Sequence, residues 1–83
     1  MDEIHARTVA LAGRLFQIDK FLHGQDLTWL SLKYTEGSPW LEFDCWVHLK
    51  GEFKFAIWRR TGDIYQVGED GAVEDDPIKE FPG

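Results

Sequence analysis

The sequence contains a single cysteine, Cys45, in 83 residues. One thiol closes no disulfide within the chain and assembles no cysteine-based zinc cluster. Basic residues are also short: nine Lys and Arg against fifteen Asp and Glu give a formal charge of −6. Affinity for nucleic-acid phosphates rests on clustered cations, so that class of partner is not expected. The longest apolar run falls far short of a bilayer span, and the first residues, MDEIHART, have no basic segment leading into an apolar one. The expectation is a cytoplasmic chain without signal peptide, membrane segment or membrane partner. The chain also lacks a glycine-rich phosphate loop, a nucleophile elbow and a paired-histidine motif, so neither an enzyme nor a cofactor is expected.

What remains is a chain with room for one domain, residues 1–83, rich in aromatic groups and strongly patterned. A domain of this size buries a modest share of its surface, which favours association as a source of stability. Residues 2–22 carry Ile4, Leu11, Leu15, Ile18 and Leu22 at helical spacing, with Val9, Ala12 and Phe16 widening the stripe. Asp2 and Glu3 suit the helix start, Lys20 and His23 its end, and Gly24 the position just past it. Gly13, inside the helix, is expected to admit a close backbone neighbour.

After Gly24 the period changes to two. Strands are expected near residues 27–35, 40–48, 52–60 and 64–67, with an acidic, turn-rich tail over 68–83 in which Pro77 and Pro82 exclude a helix. The predicted fold is α+β, an N-terminal amphipathic helix on one face of a roughly four-stranded antiparallel meander. The Glu36–Pro39 connection sets Thr35 against Trp40. A three-residue loop, Leu49-Lys50-Gly51, sets His48 against Glu52. These registers give a core face with rows Thr28–Val47–Phe53, Leu30–Cys45–Phe55, Leu32–Phe43–Ile57 and Tyr34–Leu41–Arg59. For the last strand, a three-residue Thr61-Gly62-Asp63 loop puts Tyr65 and Val67 on the core side, and a two-residue loop puts them opposite. The longer loop is taken as the expectation.

The other face is unusual. It collects Trp29, Trp40, Trp46 and Trp58 among Glu42, Asp44, Lys54 and Arg60. Four half-covered indoles make an apolar patch of roughly 300–500 Å², a size that is often functional on a monomer. Its burial contributes about 8–12 kcal/mol before association entropy is subtracted. Three explanations compete. The first is a homo-oligomer, a dimer or tetramer closed through this face. The second folds the tail back so that Ile78 and Phe81 cover the indoles. The third is a site for a small aromatic or cationic ligand, with ring faces around Glu42 and Asp44. Lys33, Lys54 and Arg60 compete for the same rings and carboxylates. The acidic surface adds a further class, an immunity- or decoy-type protein that blocks a basic protein partner.

Other constellations are weaker. Glu42, Asp44 and His48 share a strand face but stand about 7 Å apart, which suits a solvated surface better than an acid–base set. Cys45 and His48 fall on opposite faces by parity, and Cys45 sits among core positions. The carboxylates Glu69, Asp70, Glu74, Asp75 and Asp76 do not follow the spacing of a calcium loop, and no metal is expected.

Overall fold

The structure, a computed structural model, describes residues 13–82. The earlier part of the expected helix, with Ile4, Val9, Leu11 and Ala12, lies outside the described residues. The architecture is α+β. A helix over residues 13–21 leads into strands β1 (Leu27–Lys33), β2 (Trp40–Val47), β3 (Gly51–Trp58) and β4 (Ile64–Gln66). They form an open antiparallel sheet in the order β1-β2-β3-β4. Each strand ends a residue or two inside its predicted bounds, except that β3 begins one residue earlier, at Gly51.

The helix presents residues 14, 17, 18, 21 and 22 to the sheet, the spacing that lines one face of a 3.6-residue turn. Ile18 and Leu22 are buried, and Phe21 stands edge-on to Phe43 and Phe55 at 6.3 and 5.4 Å between ring centres. Beneath them lie Leu41, Phe43, Cys45, Val47, Phe55, Ile57 and Ile64, all buried. Three expectations about the helix fail. Phe16 is 69% exposed, because it sits about 200° around the helix from Ile18. Leu15 is half-covered at the rim. Around Gly13, no described residue comes within 4 Å of the position a Cβ would take, so among the described residues no close backbone neighbour accounts for it.

Arg14 ties the helix to the β3–β4 turn. Its Nε donates to the carbonyl of Arg59 at 2.8 Å and its Nη2 to that of Arg60 at 3.2 Å. The tail closes the same side. The Ile78 N–H donates to the Ile64 carbonyl at 2.7 Å, and Phe81 packs against Phe21, Phe53 and Phe55. Ile78 and Phe81 therefore seal the helix side of the sheet. They do not fold over the tryptophans, because the phenylalanine cluster of Phe21, Phe53 and Phe55 offers them an aromatic socket on the other side.

Register follows the expectation in one hairpin and departs from it in two. Between β1 and β2, Leu30 faces Cys45, Leu32 faces Phe43 and Lys33 faces Glu42. A bulge between Leu27 and Trp29 puts Leu27, rather than Thr28, opposite Val47. Between β2 and β3 the pairing is Val47 with Gly51, Cys45 with Phe53, Phe43 with Phe55 and Trp40 with Trp58. That is two residues removed from the expected register, with His48, Leu49 and Lys50 forming the loop. An even slip preserves both faces, so the hydrophobic pattern does not oppose it. In the last hairpin Ala56 faces Tyr65 and Ile57 faces Ile64. Tyr65 thus joins the tryptophan side, against expectation, and Ile64 completes the core. The four-residue turn over 59–62 sets this parity, closed by the Gly62 N–H on the Trp58 carbonyl at 2.8 Å.

The β2–β3 loop stores strain. The Lys50 N–H donates to the Val47 carbonyl at 3.0 Å, and Leu49 takes φ 68° with its side chain 93% exposed. A branched L-residue in left-handed backbone costs roughly 1–2 kcal/mol and here gains no packing. Leu49→Gly is expected to stabilise the chain by about 0.5–1 kcal/mol after glycine's greater unfolded-state freedom is subtracted. A thermal midpoint raised by roughly 2–8 °C would register it.

Candidate functional site

Cross-strand pairing gives the outer sheet face its composition. Trp29 faces Trp46 at one end, and Trp40 faces Trp58 at the other. Between them run Lys33 opposite Glu42, Ser31 opposite Asp44, and Asp44 opposite Lys54. Trp40 and Trp46 are six residues apart on one strand, about 20 Å. The indoles therefore form two clusters at opposite ends of a charged belt, not one contiguous patch.

The clusters differ in what they offer. Trp40 and Trp58 stand edge to face, 5.2 Å between ring centres and 85° between planes, and Tyr65 meets Trp58 at 6.3 Å and 77°. Aromatic quadrupoles favour this geometry, and the three rings half-bury one another. Trp29 and Trp46 have no such cover, and each is 41% exposed. Ala56, in the middle of the face, is buried beneath the flanking side chains. Arg60 falls outside the face altogether. β3 ends at Trp58, so Arg60 lies in the following turn with its carbonyl held by Arg14.

The charged belt borders a groove of about 270 Å³ lined by Lys33, Glu42, Asp44 and Lys54, with Gly68 and Glu69 beyond. No tryptophan lines it. Each belt carboxylate has a lysine as cross-strand partner, which is poor ground for holding a further cation between indoles. His48 lies in the turn after β2, off the strand that carries Glu42 and Asp44, and its N–H donates to the Asp26 carbonyl at 2.9 Å. Cys45 lies on the opposite, helix side. Burial, assisted by the negative charge of Asp44, pushes its thiol up to about 11, so it stays protonated and unreactive at neutral pH. In the tail, the Asp70 carboxylate accepts from the Ala72 N–H at 3.1 Å and shapes a turn. Among the described residues, no three His, Cys, Asp or Glu side chains converge as a metal site. No described helix is long and apolar enough to cross a membrane.

The sequence pattern did not mark β1 as exposed, yet all seven of its residues are. Leu30 and Leu32 occupy core-side positions, but the helix lies over β2 and β3 and leaves them 44% and 46% exposed. With Leu15, Ile18, Leu22 and Leu27 they line an apolar groove of about 310 Å³. Trp29 and Trp46 stand on the other side of the same strand pair. Apart from Phe16 on the helix and Leu49 in the β2–β3 loop, the exposed large apolar side chains therefore gather along the β1 edge, on both faces of the sheet. Comparison with protein-family models, curated proteins and solved structures gives no match.

Proposed function

We propose that this chain is a non-enzymatic interaction protein that assembles with itself through the outer sheet face, at the end bearing Trp29 and Trp46. One observation carries the proposal: helix and tail both pack on the other side, which leaves these two indoles uncovered. Aromatic residues rimmed by charge match the composition of interface centres. The other two indoles, Trp40 and Trp58, half-bury each other at the far end of the face, which narrows the contact to this end.

The test is molar mass in solution by light scattering, together with Trp46→Glu. A closed dimer should give twice the 9.6 kDa chain mass. A two-fold contact loses each substitution twice. Removing roughly 80 Å² of indole surface per copy therefore weakens association by about a thousandfold, or about 4 kcal/mol. Glu52, the cross-strand partner of Trp46, adds like-charge repulsion to the new carboxylate. A single-chain mass for the native protein across the micromolar range would remove this reading.

A second reading, an acidic decoy for a basic protein, draws support from the tail, where Glu69, Asp70, Glu74, Asp75 and Asp76 are all exposed. The two separate on mass, since a decoy has no need of a second copy.

A further inference from the structure

We infer that β1 is the seam of the assembly: two copies join β1 to β1 antiparallel about a two-fold axis at Ser31, making one continuous eight-stranded sheet. The inference rests on the self-association reading and specifies its geometry.

The backbone supplies the first argument. The Arg59 N–H donates to the Pro39 carbonyl across the β2–β3 pair. Backbone groups alternate sides along an antiparallel strand, so the odd residues of β2 turn toward β3 and the even ones toward β1. The β1 partners of those even residues are Trp29, Ser31 and Lys33. Leu30 and Leu32 therefore direct their N–H and C=O groups away from the sheet, toward an edge that no described strand occupies. Exposed edges are commonly blunted by proline, inward charge or a short strand. β1 is seven residues of LTWLSLK, with a single charge near its end. Its one protective device, the bulge, lies between Leu27 and Trp29 and leaves Trp29–Lys33 regular.

The side chains supply the second. The regular stretch Trp29–Lys33 is centred on Ser31. Antiparallel pairing about that centre sets Leu30 opposite Leu32 of the second copy on the helix side. On the outer side it sets the small Ser31 opposite its own copy and Trp29 opposite Lys33. Each cation then lies against an indole, no like charges face one another, and no bulky side chain meets itself on the axis. The exposed parts of Leu15, Leu27, Leu30, Leu32, Trp29 and Trp46 amount to about 400 Å² of apolar surface per copy. With the usual polar share, that approaches the roughly 800 Å² per partner of a standard stable interface.

Cysteine cross-linking tests the register. Facing residues at a non-hydrogen-bonded position have Cα atoms about 4.5 Å apart, within disulfide range. Under diamide, which takes up the two electrons and two protons released, Ser31→Cys should become a covalent dimer within minutes. Lys33→Cys, whose two copies would lie about 13 Å apart, should not. The native Cys45 stays out of the exchange, being buried and protonated. Both substitutions are at exposed positions, so folding is not at issue. Leu30→Lys with Leu32→Lys, also exposed, should halve the mass.

If the native chain is dimeric but Ser31→Cys stays unlinked, or Lys33→Cys links equally well, the seam is overturned while self-association stands. If Leu30→Lys with Leu32→Lys leaves the mass unchanged, the same conclusion follows. A native chain of single mass overturns both.

Discussion

Phe55→Ala is expected to leave the chain largely unfolded at modest temperature. Phe55 has no exposed surface and is the hub of the aromatic cluster, meeting Phe21, Phe43, Phe53 and Phe81 between 5.1 and 6.1 Å. These rings come from the helix, both central strands and the tail, so their truncated partner leaves a hole none of them can fill alone. Large-to-small changes of this kind cost about 3–5 kcal/mol. A domain of this length has roughly 4–12 kcal/mol of stability in all. The thermal midpoint should fall by about 15–30 °C, read by near-ultraviolet circular dichroism. Phe16→Ala serves as the internal comparison. It removes as many atoms from the opposite side of the helix and should change stability by less than about 0.5 kcal/mol. Equal effects from the two would contradict the packing described for the helix.

Gly62→Val should cost about 2–4 kcal/mol, for a different reason. Gly62 takes φ +82°, and a Cβ there would lie 2.6 Å from the Arg14 guanidinium and 2.6 Å from the Gln17 amide. The left-handed backbone accounts for roughly 1–2 kcal/mol, more for a β-branched side chain. The ends of Arg14 and Gln17 are flexible and can retreat. Retreat, however, gives up the bonds that Arg14 donates to the Arg59 and Arg60 carbonyls, each contributing about 1 kcal/mol or more. The two parts are separable. Combining Gly62→Val with Arg14→Ala should be less damaging than the sum of the single changes, since both lose the same bonds. Strict additivity in urea titrations would show that the retreat does not happen.

The fold and the make-up of its two faces were legible because strand parity alone determines them. Leu41, Phe43, Cys45, Val47, Phe55 and Ile57 alternate with polar or indole positions, and any even register shift returns the same alternation. For the same reason the β2–β3 register was not legible. The pattern cannot distinguish Phe43 opposite Phe55 from Phe43 opposite Ile57, and the turn chose the first by taking Leu49 into left-handed backbone and drawing Gly51, also at positive φ, into the ladder opposite Val47. The outward position of Phe16 is legible from helix geometry alone, since 100° per residue puts it behind Ile18 and puts Phe21 beside it. The destination of Phe81 had no local signal, because its socket is assembled from three distant segments. Of the candidate site, the shared face of the indoles was readable. Their division into two clusters follows from strand length, with Trp40 and Trp46 about 20 Å apart along β2. The openness of Leu30 and Leu32 depends on where the helix lies across the sheet, and the helix's own sequence carries no coordinate for that.

Every hydrogen-bonded neighbour in the sheet is also a neighbour along the chain. Zippering can then proceed hairpin by hairpin from short turns, without the slow search for far-apart segments that delays sandwich and barrel proteins. It also makes the ends of the sheet unequal. β4 is clamped by the Ile78 strap, whereas among the described residues β1 is paired along one side and can peel away while the rest stays intact. A strand attached in this way gains much of its permanence from whatever pairs with its free side.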